Sequence, residues 1–201
     1  MKKLLRRVAI CLLVVCLVYT AALIADRQKL KSELVRLHVV AASDSPEDQA
    51  IKLQVRDAVL DSLREAMADI ADPAQAKTYL AENLPKIEAV ANRVLAEAGC
   101  GDVATVKLQV EEFAARVYDT FSLPAGLYDA LRITIGEGDG QNWWCVVFPS
   151  LCMPDTTQGF ADVAAGAGFS QELTGTLTQE YEVRFFFLDL LGQVENFFHW
   201  E

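Results

Sequence analysis

The stretch IGEGDGQNWWCVVFPSLC, residues 135–152, gathers the residue types most able to do chemistry. Gly136, Gly138 and Gly140 alternate with Glu137 and Asp139, and Trp143, Trp144, Cys145 and Cys152 follow. Closely spaced glycines can bring backbone amides against a phosphate. Cysteines can ligate metal or form disulfides. Tryptophans can anchor a partner. Phosphate binding fails on context: the spacing is G-x-G-x-G, and the residues that follow read as a strand. A phosphate loop needs a helix there, because helix N-terminal amides hold the anion. Glu137 and Asp139 would also repel it. Glycine supplies the positive φ that tight turns require, and Asp139-Gly140 is a common turn pair, so the segment is expected to be the turn of a β-hairpin.

In a strand, Trp143 and Trp144 point to opposite faces. One can enter the core; the other covers the second face or stays exposed as a recognition residue. Cys145 and Cys152 are close enough in sequence, with Pro149 between them, to form a disulfide; two buried free thiols are the alternative. Only two histidines exist, His38 and His199. No HExxH, paired CxxC, nucleophile elbow or D-x-D-x-D-G calcium loop occurs, so zinc, serine-hydrolase and calcium chemistry lack their usual parts. A thiol–imidazole pair of His38 with a cysteine would need a juxtaposition that nothing in the sequence supplies, and a structural histidine is the plainer account. Asp44 and Asp48 read as turn and helix-start residues. The expectation is a protein that is no enzyme, with no metal and no cofactor.

The elements that must position these residues follow from periodicity. LVRLHVVAAS alternates, with Val35, Leu37 and Val39 on one face and Arg36 and His38 on the other, the pattern of a strand. Ser45 is suited to cap a helix that starts at Pro46, and Glu47 and Asp48 favour its positive end. Ile51, Val55, Val59 and Leu63 carry that helix to about Ile70. Asp72-Pro73 starts another, and Pro85 is expected to break it. After Gly101 the period returns to two in ATVKLQVEE and DALRITIG, and NWWCVVFP is apolar throughout, which marks a strand covered on both faces or a broad apolar patch. Residues 155–178 show no clear period and read as loop or a weakly held helix. The last segment is helical again, with Val183, Phe187, Leu190, Leu191, Val194 and Phe198 on one stripe that is expected to dock. The order gives an α+β fold: a mostly antiparallel sheet with helices packed on one face, behind an N-terminal hydrophobic segment.

That segment is the strongest physical signal in the chain. Val8 to Ala25 is eighteen residues without a charge, long enough at 1.5 Å per residue to cross most of a ~30 Å hydrocarbon layer. Lys2, Lys3, Arg6 and Arg7 precede it and should stay in the cytoplasm, which sends the rest outside. Residues 1–25 are thus a signal peptide or a single-span anchor. The run exceeds the usual ~7–15 residues of a signal core, which favours the anchor. Residues 26–33 form a short polar stalk, and 34–201 the exported domain. After Ala25, fourteen Lys and Arg face twenty-eight Asp and Glu, a balance that argues against nucleic-acid binding.

RLHVVAASDSPEDQ, IGEGDGQNWWCVVFPSLC and the Phe-rich EVRFFFLDLL together resemble the stage II sporulation protein R family of endospore-forming bacteria. The resemblance implies an intercellular signal. Such a protein is made in the forespore and exported to the intermembrane space, secreted or anchored by residues 8–25. There it activates a membrane-embedded aspartic protease, stage II sporulation protein GA, which processes pro-sigma-E in the mother cell. The surface expected to meet that protease comprises Arg36, His38, Asp44, Asp48, Glu137 and Trp143. Two other classes fit the composition: a secreted or anchored hydrolase or thiol enzyme, and a structural protein of the envelope.

Overall fold

A computed structural model describes residues 1–118, 121–149, 171–178 and 183–199. The chain runs α1 (Lys2–Glu33), β1 (Val35–Val40), α2 (Pro46–Met67), α3 (Pro73–Glu97), β2 (Ala104–Phe113), β3 (Arg116–Val117), β4 (Ser122–Leu123), β5 (Gly126–Ile135), β6 (Asn142–Phe148), α4 (Gln171–Thr178) and α5 (Val183–His199). The main sheet has the order β2-β5-β1-β6. β2 and β6 each pair antiparallel with a neighbour, whereas β1 and β5 are parallel. The α+β class stands, with a mixed sheet.

β1 lies inside the sheet and is buried along its whole length. Its alternation splits the molecule. Val35, Leu37 and Val39 face a core built with Val55, Val59 and Leu63 of α2, Leu80, Ile87 and Leu95 of α3, and Leu131, Ile133 and Ile135 of β5. Arg36 and His38 share the opposite face with Tyr128, Ala130, Val146 and Trp144. The sequence reading put helices on one face. α2 and α3 do occupy one, and Leu30 at the end of α1 joins the apolar cluster on the other.

Local signals set the helix ends as expected. Ser45 Oγ accepts from the Asp48 amide at 3.1 Å, and Asp72 Oδ1 accepts from the Ala74 amide at 3.0 Å. Pro85, however, does not break α3, which runs unbroken from Pro73 to Glu97. A proline inside a helix costs about 3 kcal/mol. Ala76 and Leu80 before it and Ile87, Ala91 and Leu95 after it form one buried stripe, and each large side chain contributes ~1.5–3 kcal/mol. Packing outweighs the lost hydrogen bond.

The glycine segment is also corrected. β5 and β6 do not pair with each other, because β1 lies between them. Residues 136–141 therefore cross over the end of β1 and form no hairpin. The Gly140 amide donates to the Ala41 carbonyl at 3.0 Å, and a Cβ at Gly140 would lie 2.3 Å from the Ser43 carbonyl oxygen. Gly138, at φ +73°, sits over Thr134 and Val40. Close approach, and not only turn conformation, demands glycine here.

α5 is a helix as expected, but its apolar stripe is not its docked side. Phe187, Leu190, Val194 and Phe198 are exposed, while Leu188 is buried and Gly192 packs against Ala125. Side chains on that inner side bond the start of β5: Asp189 Oδ1 accepts from the Ala125 amide at 2.8 Å and Glu195 Oε2 from the Leu127 amide at 3.2 Å. A helix apolar on several sides offers more than one face, and the small residue at 192 selects the one that docks. Of residues 155–178, 171–178 are helical; 155–170 lie outside the described residues.

Candidate functional site

Two loops meet at one end of the sheet. Residues 41–45 leave β1, and residues 136–141 pass over them into β6. Asp44 Oδ1 accepts from the Gln141 amide at 2.8 Å, and Gln49 Nε2 donates to the Ser43 carbonyl at 2.8 Å. Ser43 Oγ donates to the Asp48 carboxylate. Beneath them Lys52, buried in α2, donates to the Gln141 carbonyl at 3.0 Å. Burial lowers the Lys52 pKa, with Asp44 opposing the shift. Asp44 and Glu137 remain exposed. Trp143 opens β6 at the same end, 37% exposed, with the Arg56 guanidinium 4.3 Å above its ring. The structure thus brings Asp44, Asp48, Glu137 and Trp143 to one end of the domain.

Arg36 and His38 sit elsewhere, inside the second face. His38 is 4% exposed and stacks on Trp144 at 3.8 Å. Its Nδ1 lies 2.7 Å from Glu111 Oε2 and its Nε2 2.7 Å from Asn142 Oδ1. Both ring nitrogens face oxygens; a doubly protonated ring satisfies both, and a neutral ring does so once the Asn142 amide is turned over. Glu111 also accepts from Arg132 at 3.0 Å and from Gln109 at 2.6 Å. Burial pushes Glu111 up, but the hydrogen bonds from His38, Arg132 and Gln109 prevail and bring it down to about 2.

Arg36 is fully buried in an aromatic box, 4.2 Å from the Phe113 ring centre and 5.2 Å from that of Tyr128. Its Nε donates to the Cys145 carbonyl at 3.0 Å and one Nη to the Tyr118 hydroxyl at 2.8 Å. Burial lowers its pKa, partly offset by the tyrosines, and burial raises that of Tyr118. As placed, neither Arg36 nor His38 presents its charged end to a partner. They tie β1 to β2, β6 and the segment around Tyr118.

Sequence reasoning missed Glu111, Arg132 and Asn142, which complete the His38 network, and Lys107 beside them. Lys107 pairs with Arg132 across β2 and β5, and Arg132 with His38 across β5 and β1. Thr105, Lys107, Gln109, Arg132 and Thr134 line a shallow hollow of about 340 Å³ next to the crossing loops. The polar phase of β2 and β5 was visible in the alternation; the strand order that aligns it with His38 was not.

Cys145 is disulfide-bonded; Cys152, the partner expected for it, lies outside the described residues. Cys145 faces the α2–α3 core while His38 faces the other way, so no thiol–imidazole pair forms between them. Among the described residues no group of three or more His, Cys, Asp or Glu is placed to hold a metal ion. α1 is long and apolar enough to cross a membrane.

These features define an α+β domain led by an apolar helix, with a network-braced polar face opening at its loop end. The sequence profile of the stage II sporulation protein R family matches residues 31–158. A curated relative, stage II sporulation protein R of Bacillus subtilis (strain 168), is 37% identical over 129 residues, covering 64% of this chain and 58% of the relative. The chain belongs to the stage II sporulation protein R family. The matched stretch spans less than two thirds of that relative's length. No solved structure matches.

Proposed function

We propose that this chain is an exported sporulation signal that activates, in trans, the membrane-embedded aspartic protease, stage II sporulation protein GA. The activated protease then processes pro-sigma-E in the mother cell. The observation that carries this reading is family membership across residues 31–158, the span that holds the whole sheet and both loops of the candidate surface. The apolar α1 supports delivery from the forespore into the intermembrane space, whether residues 8–25 stay as an anchor or are removed. Action by contact fits the His38 network, whose members are engaged in bracing β1, β2, β5 and β6 to one another.

A contact signal must bind the active form of its target more tightly than the inactive form. Moving a target from about 1% to about 99% active takes ~5.5 kcal/mol of differential affinity. Trp143, with its ring half open beneath Arg56, is the natural anchor, and Asp44 and Glu137 supply charge around it. Arg36 and His38 act as positioning residues that tie β1 to β2, to β6 and to the segment around Tyr118, behind this surface. Co-expression of the chain with the protease and pro-sigma-E in a non-sporulating host tests the reading. Processing that depends on the chain is the expected result; equal processing with and without it would refute the reading.

A further inference from the structure

α5 runs beside α1 and in the same direction. The Phe187 ring meets Tyr19 edge-on at 6.3 Å, Arg27 Nη1 donates to the Leu191 carbonyl at 2.9 Å, and Lys31 Nζ lies 2.8 Å from Glu195 Oε1. Arg27 also pairs with Glu195. This order fixes depth. Tyr19 lies six residues inside the charge-free run that ends at Ala25, roughly 9 Å below its charged end. Phe187 stands at the same level. The ion pairs at Glu195 mark the level where the chain leaves the apolar zone. At the Phe187 level the side of α5 turned away from the domain carries Phe186, 62% exposed, and Leu190, 43% exposed. Asp189 is turned inward onto the Ala125 amide.

From this alignment, and resting on the reading that α1 stays as an anchor, we infer that the Phe186–Leu190 turn of α5 is a second membrane contact: Phe186, Phe187 and Leu190 enter the outer leaflet of the bilayer that α1 crosses. The occupant is lipid, because the exposed side continues the exposed apolar surface of α1 at a depth set by the Tyr19–Phe187 contact. Phe197 and Phe198, about 16 Å further along the helix axis from Phe187, lie beyond the Glu195 ion pairs and are outside the proposed contact. The domain is then held to the membrane at two helices, with α5 stopping it from swinging freely about α1.

Photo-crosslinking of the full chain in phosphatidylcholine–phosphatidylglycerol vesicles tests this. Benzoylphenylalanine replaces Phe186 or Leu190, with Leu13 in the span as the lipid-exposed reference, and Glu82 on α3 and Phe197 as references outside the bilayer. The expected yield of lipid adduct at 186 and 190 is about tenfold above that at 82 and within about threefold of that at 13, as for an interfacial helix. Position 197 should match position 82. Background yield at 186 and 190, adducts to a second protein chain in place of lipid, or equal yields at 186 and 197 would each overturn the inference.

Discussion

The carboxylate of Glu111 receives hydrogen bonds from His38, Arg132 and Gln109, and this couples the fold to acidity. A carboxyl held at about 2 in the folded chain, against an ordinary value of 4.5, stabilises the fold fully above 4.5. That contribution fades as pH falls toward about 2. Glu111→Gln should lower stability at neutral pH by about 2 kcal/mol. The gap from the unaltered chain should close on acidification, as read by thermal unfolding of the full chain in detergent; parallel curves from neutral pH downward would refute the assignment. Gly140 gives a steric prediction. A Cβ there would sit 2.3 Å from a carbonyl oxygen, while one at Gly101 would meet nothing within 4 Å. Gly140→Ala should destabilise by ~2–4 kcal/mol and Gly101→Ala by less than about 0.5 kcal/mol, both measurable in the same unfolding experiment. At this scale the sequence was informative about type and misleading about place. Arg36 and His38 read as part of the contact surface because they lie in a stretch that carries the family resemblance, but residues from β2, β5 and β6 give them enough partners to be buried.

Helix α3 shows packing overriding a local rule. Because Pro85 sits within an otherwise regular helix, Pro85→Ala should stabilise the domain by about 1–3 kcal/mol, restoring an N–H donor and relieving the ring clash. A lower unfolding temperature would mean that the ring itself is packed. The docking of α5 rests on Gly192, where a Cβ would fall 1.7 Å from the Ala125 carbonyl oxygen. Gly192→Ala should release α5, visible as lost amide protection in residues 183–199 while β1, β5 and β6 stay protected in hydrogen exchange; unchanged protection of α5 would show that the helix docks otherwise. Alternation and capping made most strands and helix starts legible. Strand neighbours were not: the glycine-rich link suggested that β5 and β6 pair, yet β1 inserts between them through a parallel pairing about 95 residues away in sequence. Such a pairing leaves no local mark. The docked side of α5 was illegible for a related reason, since it is chosen by shape and not by apolar count.

For the molecule as a whole, the apolar N-terminal helix, the acidic domain and the family likeness were all readable in the sequence, whereas the shape of the proposed contact surface was not. The three loop-end positions Asp44, Asp48 and Glu137 came together with Trp143 because the β1 exit and the 136–141 crossing occupy the same end of the sheet. The central claim is that this end acts by contact. The most direct test is pro-sigma-E processing, in the co-expression host, by the double variant Glu137→Lys with Trp143→Ala. Glu137 is exposed, whereas the Trp143 ring is 37% exposed and packs under Arg56, so the variant should lose about 1–3 kcal/mol, and processing is scored on protein that still shows a cooperative unfolding transition. Processing should fall at least about tenfold, the loss expected when an aromatic anchor and a rim charge are removed together. A folded double variant that still supports full processing would contradict the account.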